Sequence, residues 1–404
     1  MQKVAIIGGG ASGIFCAVLL SLHNIPIVLF EKNKTLGKKL LATGNGRCNI
    51  HNIHVDPIHF QSSSFHLQDL QYILQNFSFK AFEKTCQNLG LLLNPKEDGR
   101  VYPLSNSAKS VLEIFMHTLK TNLNLQVHLD TEITAITKKD SDFLLHSCSG
   151  ITSFKTLILA CGSQASPKLG GSNKGEILAK QLNLKLHPIY PSLVPLNLDS
   201  IFLSSLSGVK IKAKLTLKEN GQILAQTLDD VLFTSYGISG FGVLDLSSFF
   251  QTRQNLSLTL DFLPNFTPKA LENILQNTLK NNTKMLLETL LCGFLHPKIA
   301  QAFATYFNFN PNNTKQLKQF LFTLKNFSCK HPKLKDFESA EVCGGGISGE
   351  EINIKTMESK KHRNLYIIGE MLDIVGNRGG YNLAFSWASA QICAKTILGK
   401  TNKL

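Results

Sequence analysis

Three glycines near the start of the chain, Gly8, Gly10 and Gly13, stand at the spacing G-x-G-x-x-G, and Glu31 follows Gly13 by eighteen residues. These residue types at this spacing suit a dinucleotide. Gly8 permits a tight turn. Gly10 lets backbone approach a pyrophosphate that a Cβ would hold off, and Gly13 lets a helix pack close to a strand. Glu31 is placed to accept hydrogen bonds from ribose hydroxyls. A second set of candidates lies near the far end of the chain: Gly369, Glu370, Asp373 and Asn382. Glu370 or Asp373 could hold the hydroxyls of a ribityl chain or a bridging water. A helix starting near Asn382 could aim its amides at a flavin and stabilise the negative charge that reduction builds there. A nicotinamide dinucleotide at the first site needs no such distant contact, whereas a long flavin dinucleotide does. The two sets together point to FAD.

The elements that must position these residues are legible on either side of them. Val4 to Ile7 is a short apolar run, a helical pattern continues to about Leu22, and Ile27 to Phe30 is a second apolar run ending at Glu31. Strand, glycine turn, helix, strand and terminal acid make a βαβ unit, with the helix N-terminus facing the phosphates. Residues 37–49, GKKLLATGNGRCN, read as a loop because Gly44-Asn45-Gly46 cannot sit inside a helix or strand. Lys39 and Arg47 on that loop could reach phosphates or a substrate carboxylate. Residues 66–93 are helical in pattern, and Ser105 or Ser107 is expected to cap a helix reaching Leu119. Residues 125–160 read as strands, the last ending at Ala160-Cys161-Gly162. From Pro191 the period changes: lysines alternate with apolar residues on both sides of Asn220-Gly221, a hairpin signal. Helical period then runs over 267–326, opened by Thr267-Pro268. Residues 364–370 form a buried strand ending in Gly369-Glu370, and an amphipathic helix closes the chain.

The 404 residues exceed one ordinary core. The division expected is a first part of a nucleotide domain over 1–190, an antiparallel β subdomain over 191–262, a helical subdomain over 263–337, and a return to the first domain over 338–404. No apolar run reaches the roughly 18 residues of a membrane span, and no leader pattern precedes the first strand, so the cytoplasm is the default location. Nine cysteines without a C-x-x-C pair argue against a disulfide framework or a zinc site. The net charge of +14 invites nucleic acid as a partner, but only five of the 42 basic residues are arginine, and the lysines form no run interleaved with aromatics. General solvation is the reading preferred over nucleic-acid binding. Cys343-Gly344-Gly345-Gly346 lacks the helix and acid of a second dinucleotide turn, so a dedicated NAD(P)H domain is not expected.

Five stretches carry a resemblance: GGGASG at 8–13, GKKLLATGNGRCN at 37–49, EDGRVYPLSNSA at 97–108, AEVCGGGISGEEINIKTMESK at 340–360 and LYIIGEMLDIVGNRGGYNLAFSWASA at 365–390. The chain resembles the bacterial HI0933-like, or BaiN-like, flavoproteins over essentially its whole length. That resemblance implies an α/β fold, a split FAD-binding Rossmann-like domain of the glutathione-reductase type, with an inserted β-rich layer and a helical subdomain. It also implies roles. Gly8, Gly10, Ala11, Ser12 and Gly13 would line the pyrophosphate and Glu31 the ribose. Lys39 with Gly46, Arg47, Cys48 and Asn49 would run beside the cofactor. Ile133 would offer backbone to the adenine, and Ala160, Cys161 and Gly162 would pass near the nucleotide half. Gly369, Glu370, Asp373, Asn382 and Leu383 would meet the ribityl chain and flavin. The chain departs from the family pattern at Cys161-Gly162-Ser163, where Thr-Gly-Gly is common, and at Gly175-Glu176, where an aromatic is usual.

The activity expected is FAD-dependent transfer of hydride between flavin N5 and a small organic substrate. NAD(P)H, binding transiently, oxygen or a quinone would serve as second partner. A flavin-dependent RNA modifier and a non-enzymatic flavin scaffold are the alternatives. Arg47 and Arg378 are candidates for anchoring an anionic substrate or tuning the flavin. Cys48 is expected to serve packing, and no acid–base residue is assigned.

Overall fold

The structure is a computed structural model and describes residues 3–250, 253–282, 285–307, 310 and 313–401. It divides into two compact units, one made of Met1–Pro191 and Glu341–Leu404, the other of Ser192–Ala340.

In the first unit a sheet runs in the order Ile352–Asn353, Glu358–Ser359, Leu365–Ile367, Thr156–Leu159, Val4–Ile7, Ile27–Phe30, Leu125–His128. The last five are mutually parallel: Val4 lies opposite both Thr156 and Ile27, Leu157 opposite Leu365, and Ile27 opposite Leu125. Val4–Ile7 and Ile27–Phe30 are buried throughout, as unbroken apolar runs in a parallel sheet require. A three-stranded antiparallel meander, Ala135–Lys139, Asp142–Ser147 and Gly150–Phe154, lies between two of the parallel strands in sequence. The first helix, Ala11–Ser21, packs on the last, Tyr381–Thr401. Phe15 meets Trp387 edge-on with ring centroids 5.2 Å apart, and Phe82 stacks on Trp387 at 5.7 Å. The Trp387 indole N–H, which needs an acceptor once buried, donates to the Ile50 carbonyl at 2.8 Å.

The closing helix is not amphipathic as expected. Ala384, Phe385, Trp387, Ala388, Ala390, Cys393 and Ala394 are buried along with Ser386 and Ser389, so this helix runs through the core. Small residues let its neighbours approach closely. The loop expected over 37–49 holds a short helix, Lys38–Ala42, before the glycine turn. Gly37 stands at the N-cap of this helix and the next glycine is Gly44, and KKLLA between them has no residue that forbids helix. Ser107 does precede the helix Ala108–Thr121, but its side chain makes no cap bond.

In the second unit seven antiparallel strands run in the order Phe327–Lys330, Leu256–Asp261, Lys210–Glu219, Gln222–Thr234, Gly237–Ser239, Leu196–Asn197, Lys333–Leu334. The hairpin turns at Asn220 and Gly221, both with positive φ, the geometry that Asn-Gly favours. Four helices, Pro268–Asn281, Leu287–Cys292, Pro297–Tyr306 and Thr314–Lys325, lie between two adjacent strands of this sheet. Thr267 caps the first of them by accepting from the Ala270 N–H at 3.2 Å. Residues 191–262 and 263–337 were expected as separate subdomains. Here sheet and helices share one apolar core, in which Phe303 packs on both Phe202 and Phe262. The physical reason is that strand Phe327–Lys330 returns to the sheet after the helices.

Candidate cofactor site

Each glycine of the first turn answers to a different neighbour. Gly8 has φ +111°, and a Cβ there would lie 2.2 Å from the Ala160 carbonyl oxygen. A Cβ on Gly13 would lie 2.0 Å from the Gly8 carbonyl oxygen. Both are therefore held by packing between strand and helix. Gly10 differs: no heavy atom comes within 4 Å of where its Cβ would stand. It is the N-cap of Ala11–Ser21, which has no side-chain cap. An uncapped helix start facing open space suits an anion.

Glu31, buried at the end of its strand, accepts from the Gly9 N–H at 2.7 Å through Oε2 and from the Asn33 N–H at 2.8 Å through Oε1. The Asn33 amide adds a third donor at 2.5 Å. A carboxylate offers about four acceptor sites, so Glu31 braces the glycine turn and keeps capacity for a hydroxyl. Ile133 is buried, and its backbone N–H makes no hydrogen bond to another described residue.

The two ends of the chain meet here. A Cβ on Gly369, whose φ is +69°, would stand 2.5 Å from the Ser12 hydroxyl oxygen. The Gly369 N–H donates to the Ser389 hydroxyl at 3.1 Å. Glu370 is the meeting point of three segments: its Oε2 takes the Lys39 ammonium at 3.3 Å and the Ser163 hydroxyl at 3.1 Å. Only Glu370 Oε2, at 3.8 Å, comes within 4 Å of a Cβ on Gly162. Ser163 was not singled out in the sequence. Its signal was the departure expected at Cys161-Gly162-Ser163 from the resemblance.

The other departure is its structural partner. A Cβ on Gly175 would lie 2.8 Å from the Cys161 Cβ, so the cysteine side chain occupies the room that Gly175 leaves. The Cys161 N–H donates to the Met371 sulfur at 3.3 Å, and burial pushes the Cys161 thiol up to about 12. Glu176 accepts from the Gln164 amide at 2.6 Å.

Segments 44–52 and 376–382 are also brought together. With its amide turned so that the nitrogen faces the Val101 and His51 carbonyls, the Asn49 carboxamide also accepts from the Gly380 N–H, and the Asn52 amide donates to the Gly379 carbonyl at 2.9 Å. Gly46 has φ +81° and its carbonyl accepts from the Ala108 N–H. Arg47 lies over the Tyr102 ring, 5.4 Å from its centroid. Cys48 is fully buried with its thiol pushed up to about 11 by desolvation, against a hydrogen bond from Thr43 that acts the other way. It is a protonated, poorly nucleophilic thiol at neutral pH. Asn382 clamps the turn before its helix: its Oδ1 accepts from the Gly376 N–H at 2.7 Å, and its amide donates to the Gly376 carbonyl at 2.8 Å. Leu383 follows it, half-buried.

Asp373 does not join Glu370. Its Oδ2 accepts from the Ser63 N–H at 2.9 Å and from the hydroxyls of Ser64 and Ser62 at 2.8 and 3.3 Å. Burial pushes its pKa up and these donors oppose that. The sequence carries no visible signal for this serine cradle. Among the described residues no group of His, Cys, Asp or Glu could hold a metal ion, and no helix is long and apolar enough to cross a membrane.

An uncapped helix start, an open Gly10, a buried carboxylate at Glu31 and a polar cluster around Glu370 within one unit fit an elongated flavin nucleotide. Comparison with known proteins agrees. The family model described as HI0933-like protein Rossmann domain matches residues 2–396. The 3-dehydro-bile acid delta(4,6)-reductase of Clostridium scindens is 28% identical over 98% of each chain. The ribosomal RNA dihydrouridine synthase of Escherichia coli is 29% identical over 97% of each. In fold, the chain is similar to a flavocytochrome c3 fumarate reductase, with TM-score 0.51 at 14% identity, covering 98% of this chain and 78% of that one. It is also similar to 3-ketosteroid delta1-dehydrogenase from Sterolibacterium denitrificans, with TM-score 0.50 at 10% identity, covering 98% and 100%. The chain belongs to the HI0933-like family of FAD-binding flavoprotein oxidoreductases.

Proposed function

We propose that the chain is a reductase of a carbon–carbon double bond conjugated to a carbonyl, driven by NAD(P)H. The contact of Gly369 with Ser12 carries this reading, because it joins the phosphate-binding turn to the Glu370 cluster as one site for one long cofactor. A bound FAD would supply the hydride at its N5. The amides of Gly10, Ala11, Ser12 and Gly13 would hold the pyrophosphate, Glu31 the ribose and the Ile133 backbone the adenine. Lys39 and Glu370 would orient the ribityl chain, with Ser163 fixing the Glu370 carboxylate, while Leu383 and the first turn of the last helix would lie at the ring. Cys343-Gly344-Gly345-Gly346 forms a buried strand, Val342–Ile347, and no nucleotide turn, so nicotinamide would bind transiently at the flavin.

The substrate class follows from what the relatives' names have in common. A 3-dehydro-bile acid with Δ4,6 unsaturation is an extended enone, and dihydrouridine is uridine saturated at the bond conjugated to its C4 carbonyl. Reduction of such a bond is the chemistry common to both. The substrate could be a free small molecule or a uridine in RNA, and one experiment separates them. The purified yellow protein should release FAD on denaturation and be reduced by NADH or NADPH in stopped flow. It should then be reoxidised anaerobically by 4-androstene-3,17-dione or by ribosomal RNA from cells lacking the gene, with a product two mass units heavier. Reduction by NAD(P)H with no reoxidation by either would overturn the reading.

A further inference from the structure

Arginine is scarce in this chain, with five among the 42 basic residues. Three of the five lie around Tyr102 and Gly379 in the first unit. Arg47 stands over the Tyr102 ring, 5.4 Å from its centroid. Arg100 lies on the strand Arg100–Pro103, on the same face as Tyr102. Its Cγ is 3.9 Å from where a Cβ on Gly379 would stand, and Arg378 precedes that glycine. Lysine serves well enough for solvation. A planar guanidinium fork serves where a carboxylate or a phosphate must be held in one orientation. The fold draws this scarce residue together from three separate stretches of sequence.

Arg47 is the one prepared for an anion. Its Nε–H donates to the Gly44 carbonyl at 3.2 Å. Gly44 has φ +58°, and a Cβ there would stand 3.5 Å from the Tyr102 Cε1. The turn and the ring therefore fix the guanidinium from two sides. The side chain is exposed, and its two terminal amino groups meet no acceptor and no carboxylate among the described residues. Arg100 differs, since its Nε–H donates to Asp98 at 2.7 Å. A fork ordered in advance and left without an anion loses less freedom when it binds one. The site also adjoins the turn that leads into the last helix. The Asn52 amide donates to the Gly379 carbonyl at 2.9 Å, and a Cβ on Gly380 would stand 2.3 Å from the His51 carbonyl oxygen.

We propose that Arg47 anchors an oxyanion carried by the substrate, either the carboxylate of a small enone acid or a phosphodiester of RNA. This inference rests on the reductase reading above. Arg47 holds the charged end while the conjugated double bond lies at the flavin, and Arg100 and Arg378 flank it. The protein thereby selects a charged enone over a neutral one with the same rings.

The test uses the FAD-loaded protein and a matched pair, 3-oxochol-4-en-24-oic acid and its methyl ester. The two share the enone and differ in the charge. Reoxidation of the reduced unaltered protein should show kcat/KM about ten- to a hundredfold higher for the acid, as one charge-assisted pair predicts. Arg47→Gln should bring that ratio to within about threefold of unity. If the oxyanion is that of RNA, the acid and ester are used alike. The slope of log Kd against log salt for ribosomal RNA from cells lacking the gene should then be shallower by about one in Arg47→Gln. Equal loss of acid and ester turnover in Arg47→Gln, with the RNA slope unchanged, would make Arg47 a support of flavin or fold and overturns the proposal. So does an unaltered protein that uses acid and ester alike while the substitution leaves the RNA slope as it was; the reductase reading survives that result. If the unaltered protein is reduced by NAD(P)H and reoxidised by none of acid, ester or RNA, the reductase reading has failed and this inference falls with it.

Discussion

At the residue scale, Glu31 and His51 show how burial decides what a polar side chain does. Glu31 is held by donors from two segments, Gly9 and Asn33, so it shapes the turn it is expected to serve. Glu31→Ala should weaken FAD binding about ten- to a hundredfold, as loss of one or two charge-assisted hydrogen bonds predicts. Ultrafiltration of the holoprotein with flavin fluorescence in the filtrate measures it, and full retention would remove Glu31 from the ribose. His51 is packed against the rings of Phe79 and Phe82, with centroids 5.3 and 4.9 Å away. Burial lowers its pKa from 6.5 to about 4, against a hydrogen bond with the Asn52 backbone. The folded value is the lower one, so the unfolded chain takes up a proton first as pH falls. The stability present above pH 6.5 is therefore lost toward pH 4, by about 3 kcal/mol. Urea midpoints of the unaltered protein should drop relative to His51→Gln between pH 7 and pH 4.5. Parallel curves would show that the imidazole is not kept neutral.

At the scale of the element, strand Val342–Ile347 explains a glycine run that sequence alone left without a role. Gly345 has φ +78°, and a Cβ there would stand 2.1 Å from the Pro188 carbonyl oxygen. The run lets two backbones meet more closely than side chains allow. Gly345→Ala should therefore destabilise the protein by about 2–4 kcal/mol, combining backbone strain with overpacking. A lowered urea midpoint at unchanged slope would register it, and an unchanged midpoint would contradict this packing. The closing helix teaches a related lesson. Its small residues read as one apolar face, yet they are buried on most sides because the first helix, the strand His51–Asn52 and the helix Leu67–Asn76 all pack on it.

At the scale of the whole molecule, one unit is interrupted in sequence by the other, and each has its own core. The single tryptophan, Trp387, lies in the core of the first unit. Tryptophan fluorescence therefore reports unfolding of that unit, while far-UV circular dichroism reports both. Stripping FAD should lower the fluorescence midpoint, because a ligand stabilises only the unit that binds it. The part of the dichroism transition due to Ser192–Ala340 should stay in place. A fluorescence midpoint indifferent to FAD would place the cofactor elsewhere.

The local code was enough to reveal the βαβ start, the Asn220-Gly221 hairpin and the Thr267 cap, since each depends on residues within a turn or two. The same code placed a strand before Gly369 and Glu370, although that strand ends at Ile367 and Gly369–Met371 is a turn of 3-10 helix. Tertiary structure alone decided what each side chain faces. Asp373 turns into the serines at 62–64, Ser163 reaches Glu370, and Tyr190 sits on Gly344. These pairs lie more than a hundred and fifty residues apart in the chain. Their meeting is set by strand order and by which atoms a missing Cβ admits, and neither is encoded within a local window.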